Sequence, residues 1–117
     1  FIYDVSEYID TLERVKTMTA AQFVPAHAAA ADCVCELAQY NIDAVREVGD
    51  KIVSLCARPS RFEDILKGVF DEYGLVMNFE QYALVGSTVR SYLAWLLDGG
   101  RLAVKFENNT MLWSRVE

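Results

Sequence analysis

The chain contains one histidine, His27, in the run Phe23-Val24-Pro25-Ala26-His27. An imidazole titrates near neutral pH and is the commonest metal ligand, so it is the first side chain to question. With no second histidine, the chain cannot assemble a histidine pair, a Ser-His-Asp relay or a self-contained zinc site. Any chemistry at His27 requires residues from outside. Cys33, Cys35 and Cys56 cannot all pair with one another, and their spacing fits no common zinc site. On a helix, Cys33 and Cys35 point about 200° apart, which argues against a shared metal or a disulfide between them. Free thiols used as small apolar residues, and a cytoplasmic location, are the expectation.

A second chemistry is phosphate binding. The chain has 117 residues, with 17 acidic against 11 basic side chains and a net charge of -6, a balance that weighs against nucleic acid. The imbalance is uneven. Residues 1–40 carry two bases and six acids, net -4, whereas residues 41–117 carry nine and eleven, net -2. Near the end, Arg101, Lys105 and Arg115 form a small cationic set, with Phe106 and Trp113 available to stack on a base. Three cations are a thin footprint for phosphate.

The length fits one small domain and falls short of most α/β enzymes. No apolar run approaches the roughly 20 residues that span a bilayer, so no membrane partner is expected. No secretory signal is visible. Because Phe1 is not Met, the chain is expected to be a piece of something longer.

The elements that must position these residues follow from periodicity. Val5, Tyr8, Ile9, Leu12 and Val15 recur at helical spacing over residues 4–16. Ala21-Gln22-Phe23-Val24-Pro25 reads as a short strand stopped by proline. Asp32 predicts the cap of a long helix that runs to Ala57, a rod of about 40 Å with Asn41 and Gly49 as weak points. Ser60-Arg61-Phe62-Glu63 is a predicted capping box that opens a helix closed by Gly74. Asn78-Phe79-Glu80-Gln81 opens another, which stops at Gly99-Gly100. Two alternating stretches around Asn108-Asn109 then predict a β-hairpin.

The expected class is therefore α+β, mostly α: a winged helix of three helices and a hairpin over residues 41–117, joined through a bridging helix at 32–57 to a helix and strand at 1–31. In a DNA-reading winged helix the last helix presents polar and basic groups. Here it carries Arg90 as its only base, and the face opposite its core stripe holds Leu84, Thr88, Tyr92 and Trp95. An apolar second face predicts a protein partner, either a neighbouring domain or a second copy of the chain.

The run Tyr8-Ile9-Asp10-Thr11-Leu12-Glu13-Arg14-Val15, followed by Phe23-Val24-Pro25-Ala26-His27 and a long helix, resembles the closing segment of metallo-β-lactamase-fold hydrolases. In that family a helix leads to a strand ending in Pro-Gly-His-Gly; Ala26 and Ala28 stand here for the two glycines. Residues 41–117, including Phe70 to Leu75, Asn78 to Tyr82, Ser87 to Leu93 and Phe106 to Trp113, are similar to the winged-helix tail of bacterial members. The resemblance implies that residues 1–31 close an αββα hydrolase domain and that His27 is a late ligand of a zinc or other divalent metal pair in the intact parent. The HxHxDH segment that supplies the other ligands is absent from the sequence. The resemblance thus implies an isolated chain with no catalytic residue of its own and no cofactor. The parent would cleave an ester, thioester, lactam or phosphodiester bond with water activated by the metals. The implied partner is the upstream hydrolase domain of the same chain, with a winged helix that packs, dimerises or covers substrate. Two alternatives stand beside this reading: a nucleic-acid-binding winged helix gripping phosphate through Arg101, Lys105 and Arg115, and a plain interaction domain.

Overall fold

Asp4 begins the first helix by accepting a hydrogen bond from the Glu7 amide at 2.9 Å, which satisfies one of the free N–H groups of a helix start. The structure, a computed structural model, describes residues 4–21 and 28–117. Its elements in order are α1 (Val5–Ala21), α2 (Ala28–Leu55), α3 (Phe62–Glu72), α4 (Phe79–Asp98), β1 (Leu102–Glu107) and β2 (Thr110–Arg115). The chain is α+β and mostly helical.

Two helix boundaries differ from expectation. α1 continues past residue 16 to Ala21, since Thr17 to Ala21 contain neither glycine nor proline to stop it. α2 starts at Ala28, four residues before Asp32, because Ala28 to Ala31 are the strongest helix formers available; Asp32 is inside the helix and does not cap it. α2 also runs unbroken through Asn41 and Gly49. At about 1.5 Å per residue it is a rod of roughly 42 Å, in a molecule whose extents are 62 × 31 × 19 Å.

α1 packs along α2, and one core joins them to the rest. Ile52, Ile65, Leu66, Leu93, Leu96 and Leu102 are almost fully buried there, together with Val5, Cys56 and Val89. Each such aliphatic side chain contributes about 1.5–3 kcal/mol on burial. Gly49 permits the close approach of α2 and α4: a Cβ at that position would lie 2.9 Å from Cζ3 of Trp95. It is a packing position, and its reading as a weak point is corrected.

The expected capping box at Ser60 does not form. Ser60 instead makes an isolated antiparallel bridge to Trp113, with its amide donating to the Trp113 carbonyl at 2.9 Å and the Trp113 amide donating back at 2.8 Å. That pairing occupies the Ser60 backbone and moves the N-cap to Arg61, which makes no side-chain cap bond. Glu63, released from capping, accepts a 2.5 Å hydrogen bond from the Tyr82 hydroxyl and ties α3 to α4. The Arg115 amide donates to the Cys56 carbonyl at 2.8 Å, so the hairpin is stitched to the end of α2.

The other local predictions hold. Gly74 adopts φ +64°, and the Leu75 amide returns to the Phe70 carbonyl at 2.9 Å, closing α3. The Asn78 side chain accepts from the Gln81 amide at 2.8 Å. Asn108 and Asn109 both take positive φ, 51° and 60°, as a two-residue hairpin turn requires. Leu102 pairs with Arg115 and Glu107 with Thr110 at the two ends of the ladder. Helix, bridge, helix, helix and hairpin are compatible with a winged-helix-like layout. Among the described residues no helix is long and apolar enough to cross a membrane.

Candidate functional site

α4 holds the place of the groove-reading helix in such a layout, and its two sides meet different fates. Tyr92 is only 3% exposed, and Trp95 is half-buried against the core. Their rings meet edge to face, with centroids 6.1 Å apart and planes at 72°. α1 lies beside them: Val5 and Ile9 belong to the same core cluster, and Tyr8 packs against it. Burial pushes the Tyr92 hydroxyl up to about 12, with smaller contributions from Tyr73 and Tyr8. The four residues of the expected partner surface, Leu84, Thr88, Tyr92 and Trp95, differ in exposure. Tyr92 is buried, Trp95 is half-buried and lines a groove beside α1, and Thr88 is half-buried with its hydroxyl on the Leu84 carbonyl at 3.2 Å. Leu84 alone of the four remains exposed, at 38%.

The cations of the hairpin come with acids. Arg101 reaches Asp50 on α2 at 2.8 Å, Lys105 reaches Glu107 at 3.4 Å and Arg115 reaches Glu117 at 3.7 Å. Such exposed pairs are worth about 0–1 kcal/mol each, so they do not lock the side chains. Their consequence is neutralisation, since each cation that would meet a phosphate brings a carboxylate with it. Trp113 is half-buried on the core, which removes it as a stacking platform, whereas Phe106 is exposed. Arg90, the sole base of α4, lies over the Phe62 ring at 3.8 Å from its centroid.

His27 lies outside the described residues, as does the strand expected at residues 21–25 apart from Ala21, which ends α1. Cys33 and Cys35 belong to α2. Cys56 is fully buried, and desolvation pushes its thiol up to about 11, so it is an inert core residue. Among the described residues no group of three or more His, Cys, Asp or Glu side chains is placed to hold a metal ion.

Two surface features stand out instead. An open groove between α1 and α4 is lined by Asp4, Glu7, Asp10, Glu13 and Asp98, with Arg14 as its base and Trp95 on its wall. The turn from α3 to α4 exposes an apolar run: Leu75 at 42%, Val76 at 81%, Met77 at 45% and Phe79 at 88%. Sequence reasoning passed over that run while using its neighbours Gly74 and Asn78 as helix signals. The available signal was three successive apolar residues inside a polar-bounded turn, a pattern that folding alone disfavours.

The described residues form a well-packed scaffold that displays one acidic groove and one apolar turn. Compared with known proteins, the chain matches no family model, no curated protein sequence and no solved structure.

Proposed function

We propose that this chain is the C-terminal winged-helix region of a metal-dependent hydrolase resembling the metallo-β-lactamase fold, and that its winged helix is a protein-packing module. The observation that carries this reading is the continuity of α2, which starts at Ala28, the residue after His27, and runs unbroken into the core at Ile52 and Cys56. A continuous helix joins the residue after His27 to the packing module. His27 would take its fellow ligands from an upstream hydrolase domain, and catalysis would belong to the whole protein. The neutralised hairpin cations and the apolar display of α4 support packing over phosphate gripping.

The test is to read the coding sequence on the 5′ side of the Phe1 codon. An open frame encoding HxHxDH is the expected result, and His27→Ala in that full protein should lower its bound metal. A start codon immediately before Phe1 defeats the hydrolase reading. The packing role has its own test, fluorescence anisotropy with DNA and RNA. The titration should stay flat at low salt, whereas binding that weakens steeply with added salt would return the module to nucleic acid.

A further inference from the structure

The hairpin has one edge that the chain closes and one that it leaves open. Trp113 uses both backbone groups on the side away from β1, donating to the Ser60 carbonyl at 2.8 Å and accepting from the Ser60 amide at 2.9 Å. The Arg115 amide turns the same way, to the Cys56 carbonyl at 2.8 Å. Along an antiparallel ladder, pairs whose backbone groups face each other alternate with pairs whose groups face away. Trp113 stands opposite Val104 and Met111 opposite Phe106, so the N–H and C=O groups of Val104 and Phe106 point out of the other side of the sheet. β1 is the last strand on that side, and none of the described residues pairs with its edge. The ladder from Leu102 to Glu107 is continuous, with neither a bulge nor a proline to blunt it. A row of unpaired backbone donors and acceptors is a template for another strand.

The side chains of β1 select which strand fits. On one face Leu102 is buried and Val104 half-buried, whereas Phe106 overhangs the core and is 72% exposed, with Met111 opposite it. On the other face Lys105 and Glu107 form a salt bridge at 3.4 Å, with both side chains about half exposed. That pair is a dipole lying along the strand, and an antiparallel copy of the same strand presents it reversed. With Phe106 opposite Phe106 of a second copy, each Lys105 stands opposite a Glu107, so four charges alternate in sign and the existing salt bridge is kept. The neighbouring two-fold registers that bring outward backbone groups together lack this match. Centred on Lys105, the pairing sets lysine against lysine; centred on Val104, it sets Lys105 against Ala103. Pairing at Phe106 also leaves the two helical bodies at opposite ends of the joined strands.

We propose that the open edge of β1 is a self-association site, where a second copy of the chain pairs antiparallel through Phe106 and joins the two hairpins into one sheet in the order β2-β1-β1-β2. The Phe106 amide of each copy donates to the Phe106 carbonyl of the other, and Met111, Phe106, Phe106 and Met111 form one apolar row across the joined face. The contact is isologous and closes on itself, since the far edge of each hairpin is already held by Ser60 and Cys56. It is small, so association depends on concentration as a weak dimer does. An extended segment of unrelated sequence would use the same backbone groups without the matched charges. The site depends on neither His27 nor an upstream domain, so its failure leaves the hydrolase reading where it stands.

Sedimentation and amide hydrogen exchange over a concentration series test the site. The mass should rise toward that of a dimer, and the Phe106 amide should exchange more slowly as concentration rises, while the Met111 amide on the opposite edge is unchanged. Lys105→Glu and Glu107→Lys each set like charges opposite one another and should weaken association about fivefold or more. Both side chains are exposed, so neither change threatens the fold. An equimolar mixture of the two single variants should restore association, because each strand then meets the opposite charge on the other, and the variant carrying both changes should associate like the parent. A chain that stays monomeric at every concentration overturns the inference. So does a mixture no tighter than its two components, which removes the register, or self-association that Phe79→Ser abolishes and Lys105→Glu leaves alone, which moves the contact to the turn between α3 and α4.

Discussion

Two apolar regions of α4 and its approach invite the same reading from sequence and differ completely in the folded chain. Tyr92 and Trp95 lie toward the end of the helix beside α1, whereas Val76 and Phe79 lie at its start and are 81% and 88% exposed. The residue types do not separate the two regions. What separates them is whether another element of the chain lies alongside, as α1 does at Ser91, Ala94, Trp95 and Asp98. A surplus of apolar positions on a helix thus reports that something covers it, without reporting whether the cover belongs to the same chain.

Trp95→Glu should break the comparison most severely. If Trp95 faced a partner, the change would separate oligomers and leave the fold intact. Because it packs against Gly49 and Tyr92, burying a carboxylate there should cost about 3–5 kcal/mol of stability. Urea unfolding should show a collapsed midpoint. A stable variant with a halved mass in sedimentation would restore the partner-facing reading.

High pH tests the same buried region without mutation. Burial makes both Cys56 and Tyr92 ionise less readily in the folded chain, pushing them up to about 11 and about 12 from their ordinary values. Both pKa values are raised, so the stability linked to the protonated forms is fully present below about pH 9 and is lost as pH rises through the folded values. Each raised value corresponds to roughly 2–3 kcal/mol of pH-linked stability. Unfolding free energy should hold level to about pH 9 and fall steadily toward pH 12. A level curve through pH 12 would mean that α1 does not seal the region.

Gly49→Leu should have a smaller effect through the same contact. A Cβ at that position meets the far edge of the Trp95 ring at 2.9 Å. The ring must turn or the helices must part, at about 1–3 kcal/mol, offset by up to about 1 kcal/mol from replacing a mid-helix glycine. Thermal unfolding and the Trp95 fluorescence maximum should both shift. If neither moves, α2 and α4 are not held as closely as the geometry places them.

Which parts of this were legible in the sequence follows from how far each signal reaches along the chain. Gly74, Asn78 and Asn108-Asn109 act on backbone within a few residues, and each does in the fold what its local pattern predicts. Ser60 has an equally good local pattern and fails, because Trp113, more than fifty residues away, takes its backbone. Asp32 fails for a local reason, the stronger helix preference of the four alanines before it. The partner surface expected at Leu84, Thr88, Tyr92 and Trp95 rests on periodicity, which shows two apolar faces and carries no information about α1. The exposed run at Leu75 to Phe79 was present as a pattern, but in a turn, where neither helix nor strand periodicity directs attention to it.

The smallest stability effect is the sharpest statement of the comparison. Val76→Ser with Phe79→Ser removes as much apolar side chain as many core mutations, yet the two residues are 81% and 88% exposed and bury almost nothing on folding. Their loss should change unfolding free energy by less than about 0.5 kcal/mol, the ordinary range for surface positions. Calorimetry of the double variant beside Trp95→Glu measures the two regions on one scale. If the double variant is strongly destabilised, the turn is covered by the chain itself, and the distinction between a sealed region and a displayed one disappears. If it is as stable as the parent, Phe79 and Val76 contribute nothing to folding, and the sealed and displayed regions stand apart on one scale.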